Sequence, residues 1–179
     1  VGLPLKINSV LIQEQNHEQI IPLVQWAKNL GVPLRFIEFM PLDGDRHWTT
    51  AHVVSEQQIL DTLASKFNVQ AIQEQSRSPA RQYLVDGHPI GIISTITHAF
   101  CGECDRVRLT AQGEFYNCLF ATQGLALKTD IEQLQTHMDV LPDKLEHKLE
   151  TYIWNKKAGF HAIQAQQTHR KISMHMIGG

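Results

Sequence analysis

The sequence predicts a mixed chain, α/β plus α+β: a strand–helix–strand unit over residues 1–42, then a smaller hairpin-rich domain over residues 43–179. Three observations carry that expectation. Two apolar runs, Leu3 to Ile12 and Leu34 to Met40, flank a segment whose apolar residues recur three and four apart. Two turn signals, Asp86-Gly87 and Gln112-Gly113, each separate a pair of β-like runs. A polar stretch from Asp43 to Ala51 (DGDRHWTTA) divides the two patterns.

Leu3 to Ile12 fits a buried strand with Lys6 and Asn8 as its polar members. Asn16 with Gln19 three residues later resembles the start of a helix, and Ile20, Val24, Ala27 and Leu30 form its stripe up to Gly31. LRFIEFM, closed by Pro41, is the second strand. Strand, helix and strand within about forty residues make a parallel βαβ unit. One such unit does not cover both faces of its own sheet, so further strands come from elsewhere or the rest of the sheet is absent. Beyond the polar stretch, Ser55 and Gln58 can cap a helix carrying Ile59, Leu63 and Phe67. Tyr83 to Val85 and Ile90 to Thr97 flank the first turn signal; Val107 to Thr110 and Phe115 to Phe120 flank the second. Pro142 suits a first helical turn, with Leu145, Leu149 and Ile153 as its stripe up to Gly159.

Composition narrows the function classes. Hydrophobic residues make up 42% of the 179 and charged residues 19%, enough for a core and unlike a disordered chain. The net charge of -2 gives no global field for nucleic acid or an anionic membrane. No apolar run approaches the roughly 20 residues of a transmembrane helix. No secretion signal is present, so a cytoplasmic location is expected. The chain opens on Val1 in what reads as mid-fold sequence, and is expected to be a fragment.

The strongest chemical signal is FCGECDRVRLTAQGEFYNCLF, residues 100–120. Cys101 and Cys104 have the spacing that lets two thiolates hold one metal centre, and the Gln112-Gly113 turn folds Cys118 back opposite Arg106 or Val107. With no fourth cysteine, two readings stay open: zinc completed by His98, or a [4Fe–4S] cluster with one iron left open. Strand alternation puts Cys104, Arg106 and Arg108 on one side and turns Val107 and Leu109 to the core. Two guanidiniums beside a metal suit a polyphosphate or carboxylate, or are merely solvated. Lys6 in a buried strand needs an anionic partner or snorkels from its edge. Met40 reads by default as core, and Gly178-Gly179 as a frayed end.

The same cysteine motif, with LKINSVLI, LRFIEFMP and the closing MIGG in that order, closely resembles the C-terminal half of the molybdenum-cofactor biosynthesis protein A family. These are radical S-adenosylmethionine enzymes, the GTP 3′,8-cyclases. The chain departs from the motif at Asp105, commonly Asn, and at Gln112, commonly Asp. The resemblance implies that residues 1–42 end an incomplete TIM-like barrel and that residues 43–179 form the iron–sulfur and GTP domain. It implies that Cys101, Cys104 and Cys118 hold a second [4Fe–4S] cluster whose open iron binds guanine. Arg106, Val107, Arg108 and Lys6 would contact GTP, Met40 would line the S-adenosylmethionine pocket, and Gly178 and Gly179 would support the radical step. The implied product is (8S)-3′,8-cyclo-7,8-dihydroguanosine 5′-triphosphate, made for molybdenum cofactor and passed to cyclic pyranopterin monophosphate synthase. A homodimer and an N-terminal radical half are further implied partners. That half carries CxxxCxxC, the first cluster and S-adenosylmethionine; without it the fragment is expected to be inactive. The alternative is a non-catalytic zinc module of three cysteines and His98.

Overall fold

In the computed structural model, which describes residues 3–42, 48–72, 78–99, 104–121, 123–134 and 143–156, the strand–helix–strand unit is present. β1 (Ile7–Leu11), α1 (Ile20–Leu30) and β2 (Leu34–Glu38) follow in order. The strands run parallel, from Ile7 opposite Leu34 to Leu11 opposite Glu38. Ile20, Val24 and Ala27 bury one stripe of α1, as the spacing demands, but Leu30 is exposed. Asn16 does not cap the helix. Its side chain instead accepts from the Ile12 N–H at 2.7 Å and donates to the Val10 carbonyl at 2.9 Å, closing the turn after β1.

The sheet continues beyond β2. α2 (Glu56–Ala64) starts with the expected box at Ser55 and Gln58, and β3 (Val69–Ile72), β4 (Arg81–Val85) and β5 (His88–Ile93) follow. The five strands lie in the order β1-β2-β5-β4-β3, with β5 parallel to β2 and the β5–β4 and β4–β3 pairs antiparallel. The β2 backbone needs a partner on its second edge, and β5 supplies it. The boundary placed after residue 42 therefore cuts through one sheet. The chain divides instead into a unit of residues 1–41 with 47–103 and a unit of residues 42–46 with 104–179.

In the first unit α1 and α2 cover one sheet face. Leu34, Phe36, Ile90, Ile92, Tyr83 and Val85 point into that core with Val24, Ile59 and Leu63. The other face carries Asn8 and Val10, both exposed, and the row Asn8, Arg35, Gly91, Gln82 and Ile72 at matching register. β1 is thus an outer strand of this sheet rather than a buried one. β4 and β5 join through Asp86 (φ 47) and Gly87 (φ 80), a two-residue turn whose hand matches the strand twist.

Glu38 shares the core parity of Leu34 and Phe36 and is fully buried. Its carboxylate accepts from the Ile96 N–H at 2.8 Å, the Thr97 N–H at 2.9 Å and the Glu56 N–H at 3.2 Å, and from the Thr97 hydroxyl. A buried acid is tolerated because donors replace its water shell. The same contacts pin the segment after β5 against the end of β2.

The second unit holds β6 (Arg108–Leu109), β7 (Glu114–Tyr116) and β8 (Leu125–Ala126), an antiparallel sheet in chain order. α3 (Lys128–Leu134) and α4 (Asp143–Trp154) complete it; Leu145 is buried, but Ile153 is exposed and α4 stops short of Gly159. Pro142 and Gly159 lie outside the described residues. Among the described residues no helix is long and apolar enough to cross a membrane.

Replacing Glu38 by Ala leaves the buried Ile96 N–H, and the partly buried Thr97 N–H, without their acceptor. Urea unfolding should show a loss of about 2–5 kcal/mol for Glu38→Ala. A loss below about 0.5 kcal/mol would place Glu38 outside the framework of the fold.

Candidate functional site

The second unit builds its candidate site from one tight turn. Gly113 N–H donates to the Thr110 carbonyl at 3.0 Å, and the Thr110 hydroxyl accepts from the Glu114 N–H at 3.1 Å. Gly113 adopts φ +79, and a Cβ there would stand 3.0 Å from the Lys128 Cα. Only glycine meets both conditions without strain. The turn sets Arg108 opposite Tyr116 and Leu109 opposite Phe115. The ladder ends at Arg108 and Tyr116, so Arg106 and Cys118 each lie two residues beyond it.

Electrostatics show what lies near the two described thiols. Burial raises the Cys104 thiol, but the Arg106 N–H, its guanidinium and the Lys156 ammonium outweigh it, so Cys104 titrates below the ordinary value. Arg108 is half-buried and its pKa falls, through burial first and then the like charge of Arg106; Cys118 and Cys104 act in the opposite sense. Both thiols therefore act electrostatically on one guanidinium. The Cys118 sulfur accepts from the Phe120 N–H at 3.4 Å, and the buried Asn117 next to it donates to the Tyr152 carbonyl at 2.7 Å. Lys156 donates to the Cys104 carbonyl. Cys104, Cys118, Arg106, Arg108 and Lys156 form one cationic, thiol-bearing cluster. Nothing in the sequence pattern singled out Lys156; its role depends on where α4 ends.

Other expected residues fall differently. Val107 and Leu109 do not face the core: they are 47% and 56% exposed, while the buried Tyr116 covers the Arg108 side. Cys101, Gly178 and Gly179 lie outside the described residues. Among the described residues no three Cys, His, Asp or Glu side chains gather as a metal-binding group. His98 belongs to the first unit, where its Nδ1 lies 3.2 Å from Glu56 Oε2.

Lys6 and Met40 are also in the first unit. Lys6 is exposed and precedes β1; Met40 is half-buried, two residues beyond β2. Lys6 lines a cleft of about 450 Å³ on the sheet face opposite α1 and α2, with Arg35, Ser78, Gln82 and Gly91. The Arg35 Cγ lies 3.0 Å from where a Gly91 Cβ would stand, so the glycine makes room for that guanidinium stem. Arg35 was not singled out from the sequence, although a lone cation in LRFIEFM was a signal of the same kind as Lys6.

Comparison with known proteins adds an independent line. A family model described as Molybdenum Cofactor Synthesis C matches residues 32–162. A GTP 3′,8-cyclase of Rhodococcus opacus is 38% identical over 180 aligned residues, covering 98% of this chain and 49% of that protein. One of Streptomyces coelicolor is 37% identical over 160, covering 87% and 46%. One of Aquifex aeolicus is 31% identical over 180, covering 100% and 53%. The chain spans about half the length of the curated relatives it matches.

The turn itself is testable. Gly113→Ala forces a Cβ into the left-handed region and against the Lys128 backbone, and should cost at least about 1–2 kcal/mol in chemical denaturation. A variant as stable as the parent would show that the hairpin does not depend on this geometry.

Proposed function

The chain belongs to the Molybdenum Cofactor Synthesis C family, and from that premise we propose that it is the cluster- and substrate-binding half of a GTP 3′,8-cyclase acting in molybdenum cofactor synthesis. The observation that carries this reading is the glycine turn that returns the chain from Arg108 to Tyr116, two residues short of Cys118, with Cys104 and Cys118 both acting on the Arg108 charge.

The donor set fits an iron–sulfur cluster. Soft thiolates are its usual ligands, and Cys104 is biased toward the thiolate by Arg106 and Lys156. In this reading Cys101, Cys104 and Cys118 hold a [4Fe–4S] cluster. Three thiolates leave one iron with a coordination position for a substrate atom. The protein's own contribution is electrostatic and positional. Arg108 is half-buried and permanently cationic, so it offsets the charge that converging thiolates bring. Arg106 engages Cys104, and a guanidinium with five N–H donors has others to offer a phosphate. Val107, exposed between them, is placed to touch the same ligand.

The first unit supports a complementary role. Lys6 and Arg35 give its cleft two cations, with the Gln82 amide and Ser78 hydroxyl as further donors, which suits a polyphosphate. Lys6 is read as a GTP contact and Met40 as part of an S-adenosylmethionine pocket, both by the resemblance. The parallel strands β1, β2 and β5, with α1 and α2 on one face, are read as the end of an incomplete TIM-like barrel. The first cluster and S-adenosylmethionine would be held by sequence outside these 179 residues. Gly178 and Gly179 are read as supporting turnover rather than binding. The zinc-module reading requires His98 as fourth ligand, and its Nδ1 is engaged by Glu56.

The test is GTP binding by the anaerobically reconstituted chain. Iron-loaded protein should bind GTP more tightly than the metal-free form, and Arg106→Ala should weaken that binding by about tenfold to a hundredfold at unchanged iron content. Equal affinity in parent and variant would remove Arg106 from the substrate site. One zinc and no iron in a colourless protein would favour the module instead.

A further inference from the structure

The end of α4 is tied to the cysteine hairpin at three points. Asn117 donates from Nδ2 to the Tyr152 carbonyl at 2.7 Å, next to Cys118. The Tyr152 hydroxyl donates to the Gln123 carbonyl at 2.8 Å, and its ring meets Phe115 at a steep angle with centroids 6.0 Å apart. Two residues past the helix, the Lys156 ammonium donates to the Cys104 carbonyl oxygen. The first two contacts hold the Cys118 arm and the third holds the Cys104 arm, so one helix end spans both.

Lys156 is an unusual choice for such a contact. A lysine at a chain surface normally keeps its ammonium in water. Here the side chain is half-buried and commits a donor to the backbone of a thiol residue. The last turn of α4 itself carries no basic residue.

We infer that Lys156 is a positioning residue for the cluster: it fixes the Cys104 arm of the hairpin against α4 and holds a positive charge beside the metal centre that favours its reduced form. The inference rests on the cluster assignment above. A reduced cluster carries one more negative charge than an oxidised one, and nearby charge and hydrogen bonding set where that balance falls. A fixed ammonium stabilises the more negative state.

The experiment compares the chain with its Lys156→Met and Lys156→Arg variants, each reconstituted anaerobically with iron and sulfide and titrated with dithionite in the presence of redox mediators. At the potential where half of the parent is reduced, Lys156→Met should show a reduced-to-oxidised ratio about threefold to tenfold lower, with parental iron and circular dichroism. Lys156→Arg, which keeps the charge and a donor, should return the ratio to within about twofold. Loss of iron in Lys156→Met that Lys156→Arg restores also supports the inference. Parental iron with an unchanged ratio in Lys156→Met overturns it alone, as does equal failure of both variants. A parent that takes up no iron overturns the cluster assignment, and this inference with it.

Discussion

At Gly113 the second unit doubles back on itself, and the arrangement of its thiols follows from how sharply it does so. A left-handed φ of +79 lets Thr110 and Glu114 close the turn, and the missing Cβ lets the Lys128 backbone come against it. Once that turn is set, the strand register fixes which residues are level: Arg108 with Tyr116 and Leu109 with Phe115, leaving Arg106 and Cys118 each two residues beyond the strand ends. Thiolates brought together in a partly dry site repel one another. The half-buried Arg108, on whose charge both thiols act, offsets that repulsion, with Arg106 and Lys156 adding positive charge toward Cys104. Turn geometry and charge balance therefore act on the same few residues.

The first unit has its own buried electrostatic framework. Glu56, nearly as buried as Glu38, accepts from the Tyr83 hydroxyl at 2.6 Å, Ser94 Oγ at 2.8 Å and Arg81 at 3.0 Å. Burial and then the Glu56 carboxylate push the Tyr83 hydroxyl up to about 12, so it stays a donor throughout the physiological range. Glu38 and Glu56 both act on residues 94–98, the stretch that leads toward Cys101. Two buried carboxylates, each fully engaged, hold that stretch to a rigid sheet. A buried acid is favourable only while its donors stay in place, which makes the segment cooperative with the core rather than an independent loop.

What the sequence made legible was local. The three-and-four spacing of Ile20, Val24 and Ala27 located α1, the Ser55–Gln58 pair located α2, and Asp86-Gly87 and Gln112-Gly113 located both hairpins. The parallel pairing of β1 and β2 followed from a helix between two apolar runs. Long-range pairing was not legible. The polar stretch after Leu42 looked like a domain boundary, yet β5 returns to pair with β2, because an open strand edge recruits a partner regardless of sequence distance. Burial was misread where a strand lies at the sheet edge: Asn8 and Val10 face outward, and so do Val107 and Leu109, apolar but on the side opposite Tyr116. Of the candidate site, spacing alone marked Cys104, Arg106, Arg108 and Cys118 as one segment, and Cys101 lies outside the described residues. Lys156 and Arg35 were not legible, since each gains its meaning from another element, the Cys104 carbonyl for one and Gly91 for the other.

The central claim is that Cys118, returned by the hairpin, binds the same metal centre as the Cys101–Cys104 pair. Iron content of the anaerobically reconstituted chain tests it most directly. The parent should hold about four irons per chain, and Cys118→Ser should fall below about one, as should Cys104→Ser. A Cys118→Ser chain that keeps the parent's iron and its absorbance would contradict the account, because the third thiol would then lie outside the centre that the turn at Gly113 is argued to build.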